Sequence, residues 1–138
     1  MKQKTITITL QPVNPDEQPL EVQLPLAYCF ATEIAYRDLT DEDITTFMKD
    51  AIVAINEQRM PDIKKTISAI LAAIIAYSKA TKTEMPIEDK DLMYRTTSED
   101  IGLALGTVIG LRIDFYHVPT GEPEDKTEKQ KGKKRKNS

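Results

Sequence analysis

The chain has 138 residues, 40% of them hydrophobic and 30% charged, which suffices for one domain with a substantial core. The net charge is −3, but residues 119–138 carry seven Lys or Arg against four acids, so residues 1–118 carry −6. This acidic body makes nucleic acid an unlikely partner, since a nucleic-acid surface should be basic. No apolar run reaches the roughly 20 residues of a membrane span, the N-terminus lacks a signal-peptide pattern, and Cys29 has no second cysteine to pair with. We therefore expect a soluble, cytoplasmic protein without membrane contact.

Two alternating segments near the N-terminus predict a β-hairpin over residues 3–26. Thr5–Leu10 (TITITL) and Leu20–Leu26 (LEVQLPL) have strand periodicity, and Gln11–Pro19 between them is rich in turn-forming residues. Pro25 cannot donate to a ladder, so the second strand should be short or lie at an edge. The side chains expected to face the core are Ile6, Ile8, Leu10, Leu20, Val22 and Leu24. A lone hairpin is marginal in water, so it must rest on helices or pair with another chain, which leaves self-association open.

Apolar residues spaced by three and four predict about four to five helices after the hairpin. The central helix, Asp62–Ala80, has an isoleucine-rich face and an alanine face, so other elements should surround it. The remaining helices are expected at Ala27–Leu39, from Thr40 to about Gln58, at Ile87–Tyr94, and from Thr97 to Arg112. Residues expected to point inward include Tyr28, Phe30, Ala31, Ile34 and Ala35 in the first helix, and Ile44, Phe47, Met48, Ala51, Ile52 and Ile55 in the second. Residues 111–118 fit either a helix or a strand.

The last predicted helix carries a stripe of glycines. Gly102, Gly106 and Gly110 are spaced by four and would share one face. Each glycine costs a helix roughly 1 kcal/mol relative to alanine, and close backbone packing would offset that cost. We therefore expect this face to meet the small side chains of the central helix, which are Ala72, Ala76 and Ala80.

From residue 119 the composition becomes strongly charged and lacks residues able to pack in a core. Such a segment is expected to be a disordered basic tail, residues 119–138. The prediction is then a single folded domain over residues 1–118, with a hairpin at 3–26 and a helical body at 27–118. The fold class is α+β, mainly α: an N-terminal β-hairpin followed by a compact bundle of about four to five helices.

The sequence offers no pattern of catalytic chemistry. His117 is the only histidine, so it and Cys29 cannot complete a metal shell, and Cys29 is best explained as a buried small hydrophobe. The acids around Asp41 and Glu88 lack the spacing and the glycine of a calcium loop and suit helix N-termini instead. We expect no catalytic, cofactor-binding or metal-binding residues, and a protein that is not an enzyme.

Ala35–Ile44, AYRDLTDEDI, resembles a segment of the tail assembly chaperones of long-tailed bacteriophages and prophages. Those proteins often end a first helix with an aromatic residue, two acids, Leu, Thr and Gly. Tyr36 matches the aromatic, Asp38 the second acid, and Leu39 with Thr40 the Leu–Thr pair. Arg37 stands in place of the first acid and Asp41 in place of the glycine. The layout is also similar, with a β-rich start, a small helical body and a charged tail.

The resemblance implies a non-catalytic chaperone, without cofactors, in the cytoplasm of a bacterial host. Its partners would be the tail tube protein and the tape measure protein, bound before the tail assembles, and a longer frameshifted product is common in the family. The residues expected to contact partners are Leu24, Tyr36, Leu39 and Tyr116. The alternative hypothesis is a small adaptor or regulatory protein that contacts nucleic acid or an acidic partner through tail residues Lys133, Lys134, Arg135 and Lys136.

Overall fold

A computed structural model describes residues 1–117, which begin with an antiparallel hairpin. Strand β1 spans Lys2–Leu10 and strand β2 spans Leu20–Tyr28, with Lys2 opposite Tyr28 and Leu10 opposite Leu20. The alternating segments predicted this hairpin, and side chains along one face of both strands are buried as expected: Ile6, Ile8, Leu10 and Leu24. Leu20, at the turn end, is 54% exposed, so the prediction that it faces the core is wrong.

The two outer edges of the hairpin differ in their hydrogen-bonding capacity. The Thr9 N–H donates to Asp100 Oδ2 at 3.0 Å, so it points away from β2. Successive N–H groups of a strand point to opposite sides, so Thr5 also points its N–H outward. Pro25, opposite Thr5, therefore lies where β2 would point an N–H outward. Proline thus removes no bond within the hairpin, which explains why β2 is nine residues long rather than short.

Five helices follow within the described residues, and their side chains form one core with both strands. Three of the helices begin just after a capping residue whose side chain accepts a hydrogen bond from a backbone N–H of the first turn. These capping residues are Asp43, Asp62 and Thr97. The bounds are α1 Phe30–Thr40, α2 Ile44–Asn56, α3 Ile63–Thr81, α4 Asp89–Tyr94 and α5 Ser98–Tyr116. The fold is therefore α+β, mainly α, as predicted.

Helix α3 occupies the centre of this core. Its alanine face is buried through Ala69, Ala72, Ala73 and Ala76, with Ile70 and Ile74 also buried. Ile63 is 51% exposed, because it lies in the first turn before the helix enters the core. The prediction that other elements surround this helix is confirmed for the part between Thr66 and Ser78.

The first helix begins later, and faces differently, than its sequence predicted. β2 continues through Tyr28, and Cys29 with Thr32 forms the reciprocal cap that starts α1. The Thr32 hydroxyl also donates to the Ala27 carbonyl at 2.9 Å, which fixes the helix against the strand. Thr32 and Tyr36 consequently point inward, and the prediction that Phe30, Ala31 and Ile34 point inward is wrong.

The second helix is also less buried than predicted. Ile44, Phe47, Met48 and Ala51 lie in the core as expected. Ile52 and Ile55 are 40% and 44% exposed, and Ala54 is buried in their place. The inward face of α2 is therefore narrower than the apolar pattern indicated.

The glycine face of α5 does not meet α3. A Cβ added to Gly102, Gly106 or Gly110 would find no other atom within 4 Å, so this face is open, and the predicted packing against Ala72, Ala76 and Ala80 is wrong. Helix α5 buries its opposite side instead, through Ile101, Ala104, Leu105, Val108 and Leu111. Ala80 is itself exposed near the end of α3.

Helix α5 continues to Tyr116, which decides between the helix and the strand for residues 111–116. The predicted basic tail and the end of the predicted domain at residue 118 lie outside the described residues. Within residues 1–117, no helix combines the length and apolar character needed to cross a membrane.

Candidate functional site

An apolar surface lies where α1 begins and α5 ends. We call it the α1–α5 patch and define it by Phe30, Ile34, Phe115 and Tyr116. Phe30 and Ile34 are 64% and 62% exposed and stand one helical turn apart, while Tyr116 is 52% exposed. Large apolar side chains that share one exposed surface are typical of a protein-binding site.

The aromatic rings join the two helices and the end of β2. The centroid of Phe115 lies 5.1 Å from that of Phe30 and 5.7 Å from that of Tyr28. The first pair is edge-to-face, a favoured arrangement of aromatic rings. Phe115, only partly exposed, is therefore held between a buried ring and an exposed ring.

Glu33 ties this cluster together by accepting two hydrogen bonds. The Tyr28 hydroxyl donates to Glu33 Oε2 at 2.8 Å, and the Tyr116 hydroxyl donates to the same oxygen. Burial raises the pKa of the Tyr28 phenol far above its usual value, and the bond to Glu33 raises it further. The bond to Glu33 is also the main reason that the pKa of Tyr116 is raised. Both tyrosines therefore act as neutral donors to a carboxylate.

Arg112 supports the patch from the side of α2. Its guanidinium carbon lies 5.3 Å from the centroid of the Tyr116 ring, a cation–π contact. Its Nη2 donates to Thr45 Oγ1 at 3.3 Å, which connects α5 to the first turn of α2. Its buried Nε has no hydrogen-bond partner among the described residues.

Tyr36 is buried, and the prediction that it reaches the surface to contact a partner is wrong. Its ring stacks on Phe47 at 5.8 Å, and its hydroxyl donates to Glu42 Oε2 at 2.8 Å. The other oxygen of Glu42 pairs with Lys65 Nζ at 2.9 Å. The hydrogen bonds from Lys65 and Tyr36 lower the pKa of Glu42. Tyr36 therefore connects α1 to α2 through Phe47, and to α3 through Glu42 and Lys65.

The other predicted contact residues are divided between core and surface. Leu24 is fully buried in the sheet face, so it does not offer the predicted contact surface. Leu39 is 43% exposed, and Tyr116 belongs to the α1–α5 patch. Lys133, Lys134, Arg135 and Lys136 lie outside the described residues.

Phe30 and Ile34 were missed as surface residues. Their apolar character and helical spacing are the usual signals of a core face, and no residue type distinguishes an exposed pair from a buried one. The available signal for the inward face of α1 was the pair Thr32 and Tyr36, which lie four residues apart and therefore share one face. Both side chains can be buried because their hydroxyl groups form hydrogen bonds.

The described residues were also searched for side chains that could bind a metal ion. Among residues 1–117, no group of three or more His, Cys, Asp or Glu side chains is placed to hold a metal ion. Comparison with protein-family models, with curated proteins and with solved structures gave no match.

Proposed function

We propose that this protein is a non-catalytic assembly chaperone of the type found in long-tailed bacteriophages and prophages, acting in the host cytoplasm. The observation that carries the proposal is the α1–α5 patch, in which Phe30 and Ile34 are more than 60% exposed. Its partners are the tail tube protein and the tape measure protein, and an exposed apolar patch of this kind is typical of a protein-binding surface.

The construction of the patch suits partner binding. Phe30 and Phe115 are rigid aromatic side chains, which lose little conformational entropy when a partner covers them. Tyr116 is already fixed by Glu33 and Arg112 and presents a ring with a polar end. Exposed aromatic residues held in place by their neighbours are typical of the energetically dominant positions of protein interfaces.

A backbone feature supports the family resemblance independently of the patch. Asp41 follows the last residue of α1 with φ 59°, a left-handed conformation, and its N–H donates to the Arg37 carbonyl at 2.7 Å. The tail assembly chaperones that the sequence resembles often have glycine at the corresponding position. Glycine is the residue that favours this conformation, so the motif has the structural meaning of a helix end in both cases.

The test is co-expression of the full chain with the tail tube protein, and separately with the tape measure protein, of the phage or prophage that encodes it. We expect both proteins to stay in the supernatant and to co-purify with the chain. Phe30→Ser should reduce recovery at least tenfold, because it removes the most exposed ring of the patch. Val53→Ser is the matched control, since Val53 is 50% exposed on α2 and should retain recovery.

Two results would contradict the proposal. One is that neither protein binds the chain although circular dichroism shows that it is folded. The other is equal loss of recovery in the Phe30→Ser and Val53→Ser variants, which would indicate a general effect of lost apolar surface. Capture of nucleic acid in place of both proteins would favour the adaptor hypothesis instead.

A further inference from the structure

The outer edge of β1 is an open hydrogen-bonding surface. Asp100 Oδ2 accepts from the N–H of Thr9, and the Arg95 carbonyl accepts from that of Gln11 at 2.7 Å. Gln3, Thr5 and Thr7 point their N–H groups to the same side, where no described residue accepts from them. The corresponding edge of β2 is interrupted by Pro25. The first half of β1 is therefore the edge able to pair with another strand.

A groove beside this edge is formed by one face of α5. Its lining includes Leu103, Gly106, Thr107 and Gly110, with Lys4 of β1 on the opposite side. Leu103 is 50% exposed, and a Cβ on either glycine would find no other atom within 4 Å. The backbone of α5 is thus open to close approach by another element along the same side as the open strand edge.

The charges of the groove are self-complementary. Lys4 and Asp114 both line it, and neither forms an ion pair with another residue of the described part of the chain. A surface with one cation and one anion has no net charge to repel a rotated copy of itself. A two-fold symmetric contact places the same patch on both sides, so each copy contributes one Lys4 and one Asp114 to the interface.

We propose that this side of the molecule binds a second copy of the chain, with the two β1 strands antiparallel and their two-fold axis at Thr5. Gln3 then stands opposite Thr7 of the second copy, and the open N–H groups meet carbonyls. Thr9, which is already satisfied by Asp100, is left outside the pairing. Lys4 stands opposite Ile6 of the second copy rather than opposite the second Lys4, which avoids a directly facing pair of like charges.

This arrangement would also account for the glycines. In the isolated chain Gly102, Gly106 and Gly110 each weaken α5 relative to alanine, with no packing gained in return. A second copy would cover the groove face of α5 and use the close approach that glycine permits. The inference is independent of the proposed function, since the α1–α5 patch shares no residue with the groove.

The test is sedimentation velocity of the full chain over a range of micromolar concentrations. We expect twice the mass of one chain, and we expect Gly106→Leu to give the mass of one chain, because its side chain would fill the groove. Ala80→Leu is the matched control: it enlarges an exposed small residue on α3, outside the groove, and should remain a dimer. Circular dichroism should show both variants folded, since Gly106 has open space around it.

Hydrogen exchange tests the strand pairing separately. In the dimer we expect the amides of Thr5 and Thr7 to exchange at least tenfold more slowly than in the Gly106→Leu variant. A wild-type chain that stays monomeric throughout, including one that pairs only with a strand of another protein, would overturn the proposal. A dimer that survives Gly106→Leu, or one in which Thr5 exchanges at the monomer rate, would overturn the assigned interface.

Discussion

Glu33 is the residue on which the geometry of the candidate surface most depends. Its carboxylate accepts from Tyr28, which is buried, and from Tyr116, which is exposed. Hydrogen bonds to a charged acceptor are stronger than those between neutral groups, at about 1.5–3 kcal/mol each when the site excludes water. The bond to Tyr28 should lie nearer that range than the bond to Tyr116, which water can replace.

The raised pKa of Tyr28 predicts a loss of stability at alkaline pH. Below pH 10.0, the pKa of the phenol in the unfolded chain, Tyr28 is protonated in both states and the free energy of unfolding does not depend on its titration. Above that pH, unfolding releases the phenol proton, so the free energy of unfolding falls as the pH rises. Tyr28→Phe should lower the free energy of unfolding by about 1–2 kcal/mol at neutral pH and flatten its decline above pH 10. Urea unfolding at several pH values measures both effects.

Tyr94→Phe is the control for that experiment, because Tyr94 is 81% exposed and should change neither the stability nor its slope. An equally steep alkaline decline in Tyr28→Phe and wild type would mean that Tyr28 does not remain protonated in the folded chain. The same hydroxyl would then not be the donor to Glu33.

At the scale of single elements, the end of α1 is set by one residue in an uncommon conformation. Asp41 has φ 59°, where most residues other than glycine are strained and Asp and Asn are tolerated best. Ending the helix there turns the chain toward Asp43, which caps α2 through the Thr45 N–H at 2.8 Å. Two helices are therefore joined by a short, well-defined corner.

Replacing Asp41 by glycine or by alanine should change the free energy of unfolding in opposite directions. Asp41→Gly should raise the free energy of unfolding by about 0.5–1 kcal/mol, because glycine adopts this conformation without strain. Asp41→Ala should lower it by a similar amount, since alanine has the Cβ but not the polar side chain of Asp. Urea denaturation of both variants measures the difference. A gain in stability with alanine would contradict the left-handed end of α1.

The elements that were predicted correctly are those for which several independent sequence features indicated the same structure. The hairpin had period-two alternation, β-branched residues and a turn-rich loop, and α3 had Asp62 as its cap and a long apolar pattern. The face of α1 was predicted incorrectly because its capping residue, Cys29, is not a usual cap, so the helix start was placed before β2 had ended. The α1 side of the α1–α5 patch was missed for the same reason, since Phe30 and Ile34 were predicted to point inward, whereas Tyr116 was predicted as a contact residue.

The glycines of α5 illustrate a different limit. Their spacing correctly indicated one common face, but the identity of the neighbour depends on the tertiary arrangement. The amphipathic pattern that usually orients a helix is weak in α5, because Leu103 and Ile113, both about half exposed, break it. Burial of Leu105 and Val108 fixed the orientation instead, and the glycines were left on the open side.

At the scale of the whole molecule, the core and the charge are separated along the chain. Within residues 1–117, all buried core residues lie between Ile6 and Leu111, and both strands and all five helices contribute to them. The excess of Lys and Arg lies in residues 119–138, while residues 1–118 carry a net charge of −6. The proposed client binding by the α1–α5 patch and the alternative, polyanion binding by residues 119–138, would therefore involve different residues.

A chain that ends at Val118 separates the two hypotheses. We expect it to have the same urea midpoint as the full chain and to recover the tail tube protein equally, because the core and the α1–α5 patch are retained. Binding of labelled duplex DNA, measured from 50 to 200 mM salt, should be weak for both chains, since the acidic body repels phosphate. Loss of tail tube recovery on truncation would place the client surface in residues 119–138. Strong, salt-sensitive DNA binding by the full chain alone would favour the adaptor hypothesis.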